Sequence, residues 1–396
     1  MLRFAFVAII VGTTKSDLSK PETEADGKDI RQIYMAIGDL KFDERTEQDR
    51  TNAPRTLLHY AKRRPDGPDF IANNGGIPPL IKLVREGTPD QKLTAMVALS
   101  TIAKDHPTIA DRIVTSKGIE AILEVVRHDD EERKRWALQA LTVLIVGRQN
   151  HTAMLADLGG FASIVKVLKN AKASEAKTKA ASLLNIATRQ NASFCELVVL
   201  SGGAAPLVDL LNDGNEEQVV KAILVLCNLA FGGREHAAML VAAGAVAPLV
   251  TLVAAGSDHI KQWAANCLAW IARGDHASRD AVVAEKGIPP LVALVRSRAL
   301  EGRVSKNAVL ALTSLSTESV QNCERIVEAG GIAPLHAIAK DKDWPVHDRH
   351  EAIIALARLA DANDAHLTTI KEAGLLPADR AYEVGSPRHH NQASRG

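Results

Sequence analysis

A short phrase of glycine, apolar residues and proline returns along the chain at a nearly constant interval. It reads GGIPPL at Gly75–Leu80 and GGAAPL at Gly202–Leu207. With the proline position as anchor, the strong and weak copies fall at residues 79, 121, 163, 206, 248, 290, 334 and 377. The intervals are therefore 42, 42, 43, 42, 42, 44 and 43 residues. A period of this length, kept over eight copies, predicts a solenoid of repeated units.

Each unit shows the same order of local signals. Glycine opens a turn that a residue with a Cβ resists, and proline follows early in a helix, where its missing N–H costs nothing. An apolar helix, a polar turn such as Asn212–Asn215 and a longer Ala/Leu helix come next, and a short apolar helix leads to the following glycine. No segment shows the polar–apolar alternation of a strand. We therefore predict an all-α protein with three helices in each unit of about 42 residues.

The repeat resembles that of the armadillo family. Lys261–Ala272 (KQWAANCLAWIA) and Lys306–Leu312 (KNAVLAL) are similar to the family's third-helix pattern, and the phrase at Gly202–Leu207 also matches the family. The resemblance is to the non-importin type and extends to vacuolar and plant-type armadillo scaffolds. It implies a right-handed α-solenoid. HEAT repeats are the alternative, although they usually lack the short first helix and its Gly-x-x-Pro entry.

The predicted domain organisation is a single armadillo array over residues 28–385. Residues 28–70 are expected to form a degenerate N-terminal cap, with a helical stripe of Ile30, Ile33, Tyr34 and Ile37. About seven full repeats and a C-terminal partial repeat follow. Residues 1–27 hold an apolar run and a polar linker, and residues 386–396 are expected to be a disordered tail.

The charge balance and the cysteine content limit which partners and which cellular compartment we expect for the protein. Lys and Arg number 48 against 47 Asp and Glu, a net charge of +1, so the chain has no overall field that would hold nucleic acid. The four cysteines are far apart, which favours buried free thiols in a reducing compartment. We therefore expect a cytoplasmic protein that also enters the nucleus, that acts as a monomer and that binds no nucleic acid.

The N-terminus offers an alternative location. The apolar run Phe4–Val11 is too short for a membrane span, which needs about 20 residues, and no stable membrane insertion is expected. The run does fit the core of a secretory signal peptide over residues 1–14, although no convincing cleavage site follows. Secretion therefore remains open from the sequence.

Catalytic motifs do not accompany the repeat. The sequence has no phosphate-binding Gly-x-x-x-x-Gly-Lys loop, no Gly-x-Ser-x-Gly elbow and no His-Glu-x-x-His metal motif. The nearest metal-like cluster is His347, His350 and Glu351, where two histidines at i and i+3 lack a third ligand. We expect no enzyme activity, no catalytic residue, no metal and no cofactor.

The resemblance implies a binding groove. In armadillo proteins the third helices line a concave groove, and an Asn near each helix end bonds the backbone of an extended peptide, because an amide offers a donor and an acceptor together. The equivalent position lies 22 residues past most anchors and holds His59, Thr101, Val143, Asn185, Asn228, Trp270, Ser314 and Arg358, the last two displaced by two residues. Only Asn185 and Asn228 keep the amide. An alternative role for both is to cap their own helices.

Further candidates lie one and two turns earlier on the same helices. Trp263, Asn266 and Trp270 fall at i, i+3 and i+7 and therefore share one helix face, although either Trp can instead fill space between helices. Lys221, Arg189 and Arg273 would favour a partly acidic peptide, although scattered charges usually form only a solvated surface. The predicted peptide-binding residues are Trp136, Gln139, Asn185, Lys221, Asn228, Trp263, Asn266 and Trp270.

These observations predict a non-catalytic scaffold or adaptor that binds extended peptide segments of partner proteins, over the repeats from Trp136 to Trp270. The alternatives are a secreted armadillo interaction protein and an import-type adaptor. Importin-α proteins pair a Trp with an Asn four residues later. Here Ala181 and Leu224 precede Asn185 and Asn228 at that spacing, so the pair is absent.

Overall fold

The computed structural model describes residues 24–41, 45–297 and 303–372. Every regular element in these ranges is an α-helix, as the sequence predicts, and no strand occurs among the described residues. Helices α1 (Glu24–Lys41) and α2 (Glu47–Arg63) come first. Their buried side chains include Ile33, Ile37 and Leu57, each 0% exposed.

Seven consecutive triplets of a short first helix, a second helix and a longer third helix follow within the described ranges. They are α3 (Gly67–Asn73), α4 (Ile77–Glu86) and α5 (Pro89–Ala103); α6 (Pro107–Thr115), α7 (Gly118–His128) and α8 (Glu131–Ile145); α9 (Gln149–Asp157), α10 (Gly160–Asn170) and α11 (Ser174–Thr188); α12 (Ala192–Leu200), α13 (Ala204–Asp213) and α14 (Glu216–Phe231); α15 (Arg234–Ala242), α16 (Val246–Ala255) and α17 (Asp258–Ala272); α18 (His276–Ala284), α19 (Ile288–Arg296) and α20 (Arg303–Leu315); and α21 (Val320–Glu328), α22 (Ile332–Lys340) and α23 (Val346–Ala362). Helix α24 (Asp364–Glu372) comes last.

Several predicted features lie outside the described residues. They are the apolar run within residues 1–14, most of the linker that follows it, the last copy of the repeat phrase at residues 374–377 and the tail at 386–396. The predicted limits of the array, the cap and the tail therefore stay predictions.

The chain forms two compact units that divide between Pro248 and Leu249, inside α16. In the first unit the third helices pack side by side, α2 on α5, α5 on α8, α8 on α11 and α11 on α14, while α4, α7, α10 and α13 pack as a second layer. In the second unit α17 packs on α20 and α20 on α23, and α19 packs on α22. Each unit is therefore a stack of helices in which every repeat covers the apolar face of its neighbour.

Small residues let the third helices approach one another closely. In α11 the inward positions Ala176, Ala180, Leu183, Leu184 and Ala187 recur at helical spacing, and each is 0% exposed. Burying one leucine side chain contributes about 1.5–3 kcal/mol. A single repeat cannot bury these side chains by itself, so the stack and the core form together.

The glycine phrase ends each first helix and starts the second. After α12, Gly202 has φ +73°, and its N–H bonds to Val199 O at 2.8 Å while Gly203 N–H bonds to Val198 O at 2.9 Å. These two bonds form a Schellman motif. A Cβ on Gly203 would lie 2.7 Å from Val198 Cγ1. The two glycines thus serve different needs, a left-handed backbone at Gly202 and close chain approach at Gly203.

A recurring contact fixes the C-terminal ends of the third helices. A side chain from the following first helix bonds the carbonyl seven residues earlier, because the last turn of a helix leaves its carbonyls without intrahelical partners. His151 Nδ1 lies 2.8 Å from Leu144 O, and Asn322 Nδ2 donates to Leu315 O at 3.1 Å. The last turns of the third helices also carry the candidate residues Asn185, Asn228 and Trp270.

Among the described helices, none is by itself long and apolar enough to cross a membrane. Two pairs of consecutive helices reach the required length and composition only when joined across a sharp bend.

Candidate functional site

One line of side chains on each of several third helices stays outside the core. On α17 it consists of His259, Trp263, Asn266, Trp270 and Arg273, at i, i+4, i+7, i+11 and i+14. We call such a line an exposed stripe. Between Trp263 and Arg273 the intervening positions of α17 are buried, with Ala264, Ala265, Cys267, Leu268 and Ile271 each 0% exposed.

Two third helices of the first unit have stripes with the same spacing. On α14 the stripe is Glu217, Lys221, Leu224, Asn228 and Phe231; on α8 it is Glu132, Trp136, Gln139, Val143 and Val146. None of these ten side chains is fully buried. The spacing that the sequence predicts for the groove residues is therefore the spacing of the exposed stripe.

All eight predicted site residues lie on third helices and are half-buried. The first unit holds Trp136 and Gln139 on α8, Asn185 on α11, and Lys221 and Asn228 on α14. The second unit holds Trp263, Asn266 and Trp270 on α17. The structure thus places all eight residues on third helices and brings Asn185 and Asn228 into contact.

In the first unit the two asparagines at the equivalent repeat position, Asn185 and Asn228, contact each other across adjacent repeats. Asn228 Nδ2 donates to Asn185 Oδ1 at 3.2 Å and to Thr188 Oγ1 at 3.0 Å, and lies 3.5 Å from Asn185 O. We call Asn185 and Asn228 the asparagine pair. Neither side chain bonds the backbone of its own helix, as the capping alternative would require; instead Asn228 joins the end of α14 to the end of α11.

The asparagine pair leaves one donor and one acceptor without an internal partner. Asn185 Nδ2 and Asn228 Oδ1 form no hydrogen bond with any described residue. A side-chain amide has two donor hydrogens and a carbonyl, so one contact between the two amides does not use them up. The pair can therefore donate to one carbonyl and accept from one N–H of an added peptide backbone.

In the second unit the stripe of α17 is aromatic. Trp263 Nε1 donates to His259 Nε2 at 3.0 Å, and the Arg273 guanidinium lies 4.9 Å from the centre of the Trp270 ring. Both tryptophans are half-buried rather than enclosed in the core. Such rings offer a large apolar surface at low entropic cost, which is typical of binding hot spots.

The second unit also contains a cleft that the sequence does not predict. Its volume is about 330 Å³, and it lies between the C-terminal parts of α17 and α20, the start of α18 and residues 351–358 of α23. Three arginines, Arg273, Arg279 and Arg358, line it together with Glu351. We call it the arginine cleft.

Arg279 is the unexpected member of the cleft. It is the fourth residue of α18, and the fourth residues of α12 and α21 are the buried cysteines Cys195 and Cys323. Its side chain is 7% exposed, with Glu318 Oε2 at 3.9 Å from Nη2 and Ala272 O at 3.4 Å from Nη1. The signal in the sequence is an arginine at a position that carries a small residue in the first helices α6, α9, α12, α15 and α21.

Arg358 occupies the repeat position that Asn228 holds in the first unit. Its Nη1 donates to Thr313 O at 2.6 Å and to Thr317 Oγ1 at 2.9 Å. Burial lowers the pKa of the Arg358 guanidinium below its ordinary value, while the nearby Glu351 carboxylate acts in the opposite direction. The cleft therefore holds a positive charge that is partly removed from water.

Clusters of three or more His, Cys, Asp or Glu side chains with metal-binding geometry do not occur among the described residues. His347 and His350 are exposed, and His347 Nδ1 lies 3.4 Å from Asp348 Oδ1.

Known proteins resemble the chain in structure. A crystallised engineered protein is 26% identical, covers 93% of this chain and 87% of its own, and has a TM-score of 0.79. A designed armadillo repeat protein is 25% identical, with 60% of this chain and 98% of its own covered and a TM-score of 0.56. Another designed armadillo repeat protein, in complex with the peptide (KR)4, is 24% identical, with 60% and 98% covered and a TM-score of 0.55.

Neither a protein-family model nor a curated protein sequence matches the chain. The structural likeness, the helix triplets and the glycine turns nevertheless all indicate the armadillo-repeat fold. They do not distinguish the vacuolar or plant-type subgroup within the armadillo proteins. The chain is an α-solenoid with the armadillo-repeat fold, consistent with the armadillo-repeat family.

Proposed function

We propose that the protein is a non-catalytic interaction scaffold that binds an extended segment of a partner protein along the exposed stripes of its third helices. The asparagine pair bonds the peptide backbone in the first unit. The tryptophan stripe of α17 supplies the apolar contact in the second.

One observation carries this proposal: the asparagine pair leaves a donor at Asn185 and an acceptor at Asn228 on half-exposed side chains. An extended peptide presents its N–H and C=O groups outward, and each of them needs a partner when it leaves water. Amide groups meet this need without selecting a side chain. The pair therefore suits a peptide backbone better than a small molecule.

The structural neighbours support the same class of function. One designed armadillo repeat protein is in complex with a peptide, and a second set was designed for modular peptide recognition. These descriptions support peptide binding by the fold. The basic peptide (KR)4 is the ligand of that designed protein, and the proposal for this chain does not include its sequence.

Selection of random 12-residue peptides displayed on phage against the immobilised full-length chain tests the proposal. We expect peptides whose binding is lost with Asn185→Ala/Asn228→Ala and with Trp263→Ala/Trp270→Ala. The matched control is Lys166→Ala/Lys169→Ala, which changes two exposed side chains on a second helix, α10. Circular dichroism spectra establish that each variant keeps its helix content.

Two results would reject the proposal. One is the absence of any peptide that binds the folded wild-type chain. The other is a set of peptides whose affinity changes with the α10 control and is unaffected by the asparagine and tryptophan variants.

We also propose that the scaffold acts in the cytoplasm and nucleus. The alternative of secretion depends on residues 1–14, which lie outside the described residues. Mass spectrometry of the N-terminus of the protein from its native cells decides between them: an intact N-terminus supports the proposal, and removal of residues 1–14 supports secretion.

A further inference from the structure

We propose that the arginine cleft of the second unit is a subsite for the carboxylate of an Asp or Glu side chain on the bound peptide. This inference rests on the proposed peptide-binding function and adds a chemical preference at one position. The neutral asparagine pair has no such preference.

Three guanidinium groups meet at this cleft and outnumber the acids there. Arg273, Arg279 and Arg358 line the cleft with one carboxylate, Glu351. The second nearby acid, Glu318, is 73% exposed, lies 3.9 Å from Arg279 and also lies 3.4 Å from His276 Nε2. The cleft therefore has a net positive charge that its own acids do not neutralise.

The buried guanidinium keeps an unused donor. Arg279 Nε is enclosed by protein and has no hydrogen-bond partner among the described residues. A buried polar group without a partner is costly, and a guanidinium binds carboxylates particularly well because its N–H groups match their two oxygens. A carboxylate that enters the cleft would approach Arg279 and Arg358 together.

The size and the position of the cleft suit a peptide side chain. A volume of about 330 Å³ accommodates an acidic side chain with several waters, since each water takes about 30 Å³. Arg358 belongs to the repeat position that carries an amide in the first unit, and Thr313, Ser314 and Thr317 add hydroxyl groups to the cleft wall. A peptide that follows the third helices of this unit would therefore pass the cleft.

The test compares the acid preference of two proteins. Random 12-residue peptides are selected in parallel on the wild-type chain and on Arg273→Gln/Arg358→Gln, which leaves the buried Arg279 in place and so protects the fold. The control, Arg325→Gln/Lys342→Gln, removes the same charge from two exposed positions of the second unit.

We expect the wild type and the control to select peptides with Asp or Glu at one fixed position, and the cleft variant to select peptides without it. For a selected peptide, replacing that Glu by Gln should lower the affinity for the wild type roughly tenfold or more, as expected for a charge-assisted hydrogen bond, and have little effect on the cleft variant.

Peptides that need Trp263 and Trp270 but show no fixed acid would overturn the carboxylate subsite while leaving the proposed function intact. An acid preference that persists in the cleft variant would overturn it as well. Failure to select any peptide contradicts the proposed function itself. Selection of phosphorylated over acidic peptides of the same sequence would replace the carboxylate by a phosphate and so reject the subsite as stated.

Discussion

The asparagine pair of the first unit and the arginine cleft of the second unit occupy equivalent positions in the repeat. In each, a long-range hydrogen bond joins the end of one third helix to the end of the preceding one. Asn228 Nδ2 donates to Thr188 Oγ1 at 3.0 Å, and Arg358 Nη1 donates to Thr317 Oγ1 at 2.9 Å. The contact between the repeats is thus preserved although the side chain changes from an amide to a guanidinium.

The difference lies in what each region offers to a ligand. The asparagine pair is neutral and leaves one donor and one acceptor, whereas the cleft offers several donors and positive charge. A buried cysteine lies below the surface residue in both regions, because Cys195 Sγ is 3.5 Å from Asn228 O and Cys323 Sγ is 3.8 Å from Arg358 O. Arg279 is an additional charged residue in the wall of the cleft. The same backbone therefore supports backbone recognition in one region and charge recognition in the other.

Exchanging the buried residues Cys195 and Arg279 should give the largest difference in stability between the two regions. Cys195 is 2% exposed, and its thiol lies 3.5 Å from both Thr188 O and Asn228 O. Cys195→Arg should lower the free energy of unfolding by about 3 kcal/mol or more, because it overpacks the core and buries a charge without an acid to pair it. Urea denaturation followed by circular dichroism measures the change.

The control for this exchange is Arg279→Cys, which gives α18 the residue found at the same position of α12 and α21. We expect a much smaller loss of stability, since Arg279 has only a distant acid partner. Equal losses of stability for the two variants would contradict the expectation that the second unit tolerates a change at this position better than the first.

Salt should separate the binding contributions of the two regions. For a library-selected peptide, Asn185→Ala/Asn228→Ala and Arg273→Gln/Arg358→Gln should each lower the affinity roughly tenfold at low salt. In 0.5 M NaCl the loss caused by the arginine variant should shrink, because salt screens charge interactions, while the loss caused by the asparagine variant should not. Fluorescence anisotropy measures both, and the same salt dependence for the two variants would contradict the distinction.

The buried thiols should behave alike in both regions. Burial raises the pKa of Cys195 and of Cys323 to about 11. An unfolded thiol ionises near pH ~8.5, so between these values the folded state holds more protons than the unfolded state and stability falls as the pH rises. The urea midpoint should drop from pH 8 to pH 10.5 by more in the wild type than in Cys195→Ala/Cys323→Ala, and a drop of equal size in both would refute the assignment.

Ion pairs between third helices should contribute to stability according to their burial. Glu175 pairs with Arg135 in the first unit and its side chain is 68% exposed, whereas Asp348 pairs with Lys306 at 3.2 Å in the second unit and is 4% exposed. Glu175→Gln should cost no more than about 1 kcal/mol in stability, and Asp348→Asn about 1–3 kcal/mol, because the buried carboxylate loses more when its partner contact weakens. Urea midpoints in the reverse order would contradict the burial argument.

Local features of the sequence predict the fold and one part of the site. The glycine and proline phrase fixes where helices end, and the spacing of Trp263, Asn266 and Trp270 places them on one helix face without knowledge of the packing. Asn185 and Asn228 are found by counting from the repeat anchor. These features depend on the period or on helix geometry alone.

The arginine cleft is different because it depends on packing between repeats. Arg279 lies on the first helix of one triplet and Arg358 lies on the third helix of the next triplet, so no local spacing relates them. The bond from Asn228 to Asn185 likewise requires the distance between adjacent third helices. The sequence therefore predicts the repeat position of each residue, whereas the stacking of the repeats determines which residues are in contact.

A crystal structure of the full-length chain with a library-selected peptide tests the central claim most directly. We predict an extended peptide on the third helices, with one backbone carbonyl bonded to Asn185 Nδ2 and one backbone N–H bonded to Asn228 Oδ1. A peptide bound to the layer of second helices, with the asparagine pair untouched, would contradict it.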